Sequence, residues 1–283
     1  MKTAAAFLFL VTILLNAPAQ KGETRPADRP PADIVKEKAA TDALRAMFDR
    51  EMEQQGVFID RARKLIALKG KFNSPKQPLE YLITAPRGSH YESLIAIEAK
   101  PLNVAAAIIS FNVNPGTGPV RKLKEKKPTE EEMKAGATSY EVEKGTGDGV
   151  FIYVEWNDDR GFHRNRIEDL VFERTEGRTI LNAKFIFTNS MMIEPRASRD
   201  IPTYAANADG NFASCGFGGA PVLTYPKPHP YAMDGDFEVY QPNWTLVPSD
   251  PLPVTVILSC EELLQPLIER AAPPASAPAP PSR

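Results

Sequence analysis

The sequence predicts an α+β domain dominated by mostly antiparallel strands, with one or two helices packed against them. Three observations predict it. From Gly56 onward, apolar residues recur with a period of two in short runs. Strings rich in Pro, Gly, Asn and Asp separate those runs. Nowhere do strands and helices alternate regularly, which excludes a dinucleotide-type parallel sheet.

The elements follow in order. Residues 34–55 read as a lead-in helix. Val35, Ala39, Ala43, Ala46 and Met47 share one face, with Leu44, Phe48 and Met52 in a row beside them. Its first row is mostly alanine, so the helix is expected to pack loosely or to act as a spacer. Val57-Phe58-Ile59-Asp60 and Lys64-Leu65-Ile66-Ala67-Leu68 form a hairpin across Arg61–Arg63. Strands are expected at 79–84 and 91–98. Pro101 then opens a helix to Phe111, its apolar face made by Leu102, Val104, Ala105, Ile108 and Ile109. Residues 117–149 read as a charged, Gly-rich connection. Residues 149–156 read as a strong strand, ended by the turn at 157–161. Further strands are placed near 180–188, 204–206, 212–215, 237–240 and 254–259, with a short closing helix over 261–270.

The two ends read differently. Lys2 precedes an apolar run over residues 4–15 that only Thr12 interrupts. The run falls short of the ~20 residues a spanning helix needs, and Ala17-Pro18-Ala19 places small residues where signal peptidase cuts. Residues 1–19 are therefore expected to be a cleaved signal peptide, leaving a periplasmic or secreted chain with no transmembrane segment. Residues 20–33 and 271–283, rich in Pro, Ala and charge, are expected to be a disordered linker and a disordered tail. Between them lie the helix of 34–55 and one globular domain over 56–270. The chain carries 34 Lys and Arg against 36 Asp and Glu, a net charge of −2. Loss of Lys2 makes it more acidic. That balance argues against a nucleic-acid partner, which usually demands a basic face.

Several local strings carry a resemblance. They are Pro78-Leu79-Glu80-Tyr81-Leu82, His90-Tyr91-Glu92-Ser93-Leu94, the Pro101 helix with Ala105-Ala106-Ala107, and Pro115-Gly116. Val154-Glu155-Trp156, Phe187-Thr188-Asn189-Ser190, Ala208-Asp209-Gly210-Asn211 and Pro253-Val254-Thr255-Val256-Ile257-Leu258 follow in the same order. In order and spacing the chain resembles the YdjY-like domain family of exported bacterial proteins, over about residues 56–259. The resemblance implies little chemistry. Some members have been labelled ferredoxin-like, yet an iron–sulfur cluster takes four cysteine ligands and this chain has two, Cys215 and Cys260.

Candidate chemistry is sparse. Only three histidines are present, no serine sits in a Gly-x-Ser-x-Gly elbow, and the Gly216–Gly219 string lacks the strand–loop–helix setting of a phosphate loop. His90 and Glu92, two apart at the expected start of a strand, should face one side. Asn207, Asp209 and Asn211 supply oxygen ligands on a turn. A divalent metal held by His90, Glu92 and Asp209 is one expectation; the other is that these groups cap and hydrogen-bond the fold, with Asp209-Gly210 a plain hairpin turn. His229, Asp234 and Asp236 form a second polar group in a long loop. In an exported chain Cys215 and Cys260 can form a disulfide, or Cys260 can be a small buried residue. Two functions therefore stand side by side. One is a non-catalytic extracytoplasmic module that binds an envelope or extracellular partner. The other is a metal-dependent enzyme around His90 and Glu92.

Overall fold

A computed structural model describes residues 31–75, 77–194, 201–232 and 238–263. The predicted signal peptide, most of the linker, nearly all of the closing helix and the tail lie outside these residues. The lead-in helix α1 (Pro31–Gln54) begins at Pro31, so the linker expected over 20–33 gives way to helix at its end. Only its last turns dock. Met52 is buried and Phe48 packs on the core, while Val35, Leu44 and Met47 stay exposed. Asp49 fixes the contact by a two-pronged pair with Arg61, at 2.7 and 2.6 Å.

Strands β1 (Val57–Asp60), β2 (Leu65–Phe72), β3 (Tyr81–Thr84) and β4 (Ser93–Ile97) precede helix α2 (Pro101–Ile109). The connection at 117–149, expected as a charged, Gly-rich stretch, holds a hairpin of β5 (Val120–Leu123) and β6 (Tyr140–Glu143) around a short helix α3 (Glu130–Lys134). Thr129 and Glu132 close a capping box on α3, each side chain bonding the other's backbone amide. Then come β7 (Gly149–Asp158), β8 (Gly161–Arg166), β9 (Val171–Glu173), β10 (Arg178–Thr179), β11 (Phe185–Phe187), β12 (Met192–Ile193) and β13 (Thr203–Tyr204). Helix α4 (Ala205–Asp209), β14 (Asn211–Ser214), β15 (Leu223–Thr224), β16 (Tyr240–Pro242) and β17 (Pro253–Ser259) complete the chain order.

The main sheet runs β2-β17-β7-β11-β15-β14-β3-β4 and closes on itself, because β4 pairs back onto β2 with Gly70 opposite Ile97 and Phe72 opposite Ile95. The result is an eight-stranded, barrel-like sheet, with β1 and β8 added outside on β2 and β7. Alternation explains the core. Ile66, Leu68 and Phe72 of β2, Val150, Ile152, Val154 and Trp156 of β7, and Val254, Val256 and Leu258 of β17 are all buried. Each such side chain contributes roughly 1.5–3 kcal/mol. Phe72 and Trp156 meet edge-on at 5.3 Å. The buried face of α2, from Val104 to Ile108, adds to the same core.

Two pairs in the barrel are parallel, β3 with β4 and β14 with β15. Parallel neighbours usually need a crossover of about a dozen residues or more, commonly a helix. Here residues 85–92 and 215–222 make the crossovers without one. Such loops leave backbone polar groups outside any ladder, and both candidate regions below lie on them.

Outside the barrel, β8 runs into a 3-10 turn, Ile167–Leu170, that carries a buried ion pair. Arg166 donates to Glu168 and to the carbonyl of Ala183, and Glu168 accepts from the Ala183 amide.

The disulfide is not formed: both cysteines are free thiols. Cys215 follows β14 and is fully buried against the carbonyls of Leu79 and Glu80. Cys260 follows β17, and β7, β11 and β15 lie between those two strands in the barrel order.

Candidate functional site

His90 and Glu92 do not begin a strand. They form a 3-10 turn, His90–Glu92, within the first parallel crossover, and β4 starts at Ser93. The period-two rule that put both on one face therefore does not apply. The His90 imidazole closes the crossover, with Nε2 3.1 Å from the carbonyl oxygen of Ala85. Asn207, Asp209 and Asn211 are likewise used by the backbone. Asn207 Oδ1 accepts the Leu102 amide in the first turn of α2, at 3.0 Å. Asp209 Oδ1 accepts the Asn211 amide at 2.9 Å. The segment is the helix α4 capped by Gly210, whose φ of 75° is left-handed, and not a hairpin turn.

The two segments do approach each other. Ala85 donates to Gly210 O at 2.8 Å. The Tyr81 phenol is pushed up to about 12, first by burial and then by the carboxylates of Glu80, Glu92 and Asp209. Yet among the described residues no group of three His, Cys, Asp or Glu side chains is gathered to hold a metal ion. The ligand set expected from His90, Glu92 and Asp209 is not assembled. His90 Nε2 and Asp209 Oδ1 each serve a backbone turn instead. Of the other polar group, His229 Nδ1 accepts the Tyr231 amide at 3.2 Å, and burial holds its imidazole below the ordinary range. Asp234 and Asp236 lie outside the described residues.

Burial raises the Asp209 carboxyl above its usual range, against the lowering effect of the Asn211 amide bond. A raised folded value means that the folded state holds the proton longer, so stability is lost as pH rises through that window. Asp209→Asn keeps the Oδ1 acceptor and removes the charge. Its melting temperature should exceed that of the unaltered protein at pH 7 and match it at pH 3. An equal difference at both pH values would contradict the assignment.

The second crossover builds a different kind of site. Gly216–Gly219 and Pro221 form one wall of a 520 Å³ cleft, Gly118 to Arg121 face them, and Thr188, Ser190 and Thr224 lie between. Asn189 and Ser190, with φ of 55° and 46°, are consecutive non-glycine residues in the left-handed region. Such conformations cost of order 1–3 kcal/mol each and persist only where the surroundings over-determine them. Here they do. The Ser190 amide donates to Pro221 O at 3.0 Å, and the Asn189 amide to Val222 O at 3.3 Å. Ser190 Oγ donates to Ala220 O and accepts from the Ala206 amide, and Tyr204 donates its hydroxyl to Asn189 Oδ1.

Three further features mark the cleft. Among the described residues of the lining Arg121 is the charged one; its guanidinium donates to Pro230 O at 3.4 Å and lies 4.5 Å from the Tyr140 ring centroid and 5.7 Å from that of Phe217. Val120 and Met191 are exposed at 50% and 60%, leaving apolar surface at the rim. Beneath the loop, Asn211 is 5% exposed and its Oδ1 has no partner among the described residues. A wider cleft of 830 Å³ at the end of the barrel where β7 finishes is more charged, with Asp158, Asp159, Arg160 and Asp250 in its lining.

Sequence reasoning weighed Gly216–Gly219 only as a phosphate loop and set it aside. The usable signal was the pairing of that string with Thr188-Asn189-Ser190, which no local pattern connects. No family model matches this chain, and no curated protein or solved structure does either.

Proposed function

We propose that this chain is an exported, non-catalytic binding module of the YdjY-like kind, acting in the periplasm or outside the cell, and that the cleft at Gly216–Gly219 is where it holds an envelope or extracellular partner. The observation that carries the reading is the strained Asn189-Ser190 pair, locked by five hydrogen bonds, three of them to the crossover loop it faces. Strain held this firmly beside an open, largely apolar cleft is typical of a ligand clamp. The signal-like residues 1–19 support the location.

Gly118→Leu tests it. A Cβ at Gly118 would meet Thr224 Cγ2 at 3.5 Å and Thr188 Cγ2 at 3.7 Å, which are ordinary contacts, so the longer side chain enters the cleft without backbone strain. The unaltered mature protein, cross-linked in native envelopes, should retain a component that Gly118→Leu loses at an unchanged melting temperature. Equal retention by both proteins would overturn the cleft as the binding surface.

A further inference from the structure

The face of β1, β2, β17 and β7 that points away from the core carries apolar groups of its own. The registers set Phe58, Ala67, Ile257 and Tyr153 in one row across the four strands, with Leu65 in the next row, opposite Asp60. Alternation turns these residues outward, since Ile66, Leu68, Val256 and Val154 beside them fill the core. The row is unevenly covered. Tyr153 is 0% exposed and Ile257 7%, whereas Phe58, Leu65 and Ala67 are only half-buried.

The chain's own end covers the buried part. After β17 it turns back at Ser259, whose Oγ accepts the Glu261 amide at 3.3 Å. Glu261 pairs with Lys64 at 2.6 Å and Glu262 with Arg166 at 2.5 Å. The Leu263 amide donates to Tyr153 Oη at 2.8 Å, and the Tyr153 hydroxyl donates to the Leu263 carbonyl oxygen at 3.4 Å. The backbone of Leu263 is thus seated on the tyrosine. Leu263 is also part of the wall of a 440 Å³ groove that continues over Ile257, Leu65, Ala67 and Phe58. The charged residues of its rim are already matched, Asp60 with Arg63 and Glu155 with Arg164, so the groove suits an apolar occupant.

The next residues are Leu264-Gln265-Pro266-Leu267-Ile268-Glu269-Arg270, which lie outside the described residues. Leu264, Leu267 and Ile268 fall at helical spacing. From Ala271 to Arg283 only Ala, Pro, Ser and Arg occur, so the apolar stretch is confined to this segment. The row from Tyr153 to Phe58 crosses three strand spacings, ~14 Å. Seven residues span ~10 Å as a helix and ~23 Å extended, so the segment reaches the groove with no linker between. A segment tethered at the groove's mouth acts at an effective concentration of roughly millimolar, which a second copy or a separate partner would have to outcompete.

We infer that residues 264–270 strap this groove, with Leu264, Leu267 and Ile268 packed on Phe58, Leu65, Ala67 and Ile257, and that the chain thereby covers apolar surface that would otherwise be open to other chains. The groove shares no residue with the cleft at Gly216–Gly219, and the inference is independent of that cleft's role.

The test uses the chain from Gln20 to Arg283 with 13C-labelled Leu and Ile methyl groups. Methyl NOEs should link Leu267 and Ile268 to Leu65 and Ile257. Isotope-filtered NOEs between labelled and unlabelled chains, mixed in equal amounts, should be absent. Ala67→Glu alters the groove and not the segment. It should speed amide exchange at Leu267 and Ile268 by about tenfold or more, the scale of uncovering one such side chain. The pair Leu267→Ser and Ile268→Ser leaves the sheet untouched and should shift the Leu65 and Ile257 methyl signals, which keeps the test decisive should thermal unfolding show Ala67→Glu to be misfolded. Free-chain exchange rates at Leu267 and Ile268 in the unaltered protein, without NOEs to the groove, would overturn the inference. NOEs to the groove that arise only between chains would overturn it in favour of a second copy as the occupant.

Discussion

Arg166→Met should destabilise the domain by ~3–5 kcal/mol, the cost typical of leaving one member of a buried ion pair alone. The Glu168 side chain is 0% exposed and that of Arg166 6%. The Arg166 guanidinium bonds Glu168 Oε1 at 2.8 Å, the Ala183 carbonyl at 2.7 Å and Glu262 at 2.5 Å. It also lies 5.1 Å from the Phe151 ring centroid. Methionine replaces the packing but none of the donors. Glu168 would then be a buried charge with only the Ala183 amide for company. Urea denaturation of Arg166→Met, Glu168→Leu and the double variant separates the effects. The double variant should be clearly more stable than Arg166→Met alone, because it removes the orphaned charge as well. A double variant as unstable as the single one would mean that packing, and not the charge, sets the cost.

The parts of the fold that alternation encodes were legible in the sequence. Ile66 and Leu68, Val150 through Trp156, and Val254 through Leu258 announce strands with one buried face, and β2, β7 and β17 are adjacent in the barrel. The helix at Pro101 was legible for the same kind of reason, a broad apolar face behind a proline first turn. What stayed hidden depends on distant pairing. No local pattern says that β4 returns to β2, or that strands as short as β11 and β15 complete a barrel. The error at His90 and Glu92 has the same root. Their alternation with Leu94 and Ala96 is genuine, but the ladder with β3 begins only at Ser93, opposite Tyr81. The turn before it takes a 3-10 geometry, and the side chains no longer share a face. Asp209 sits beside this turn where Ala85, at the start of the first crossover, donates to Gly210 O just ahead of β14.

The cleft was hidden for a further reason. Its walls come from residues near 120, 190 and 218, and its chemistry is mostly backbone. Side-chain motifs advertise metals and catalytic groups. A wall built of backbone leaves only glycines in the sequence, and glycines also mark ordinary turns. The left-handed Asn189 and Ser190 add a faint signal, since asparagine tolerates that region better than most residues do.

Gly149→Ala should cost on the order of 3 kcal/mol, at the top of the usual range for inserting atoms into a packed interior. Gly149 opens β7 opposite Ile186 of β11. Its added Cβ would lie 2.0 Å from the Phe185 carbonyl oxygen and 2.8 Å from the carbonyl carbon. Both are backbone atoms of the neighbouring strand, so relief requires the strands to part. Phe185, Ile186 and Phe187 carry buried side chains, and the chain passes from Phe187 straight into Thr188 and the strained pair. A displaced β11 should therefore loosen the walls of the cleft as well as the barrel, raising hydrogen exchange at Ile186 and Phe187. Gly218→Ala is the control. Its φ of 81° is unfavourable for alanine, but nothing lies within 4 Å of its Cβ, so only the left-handed penalty of roughly 1–2 kcal/mol applies. Equal costs for the two substitutions would show that β7 and β11 are not held as close as the barrel requires.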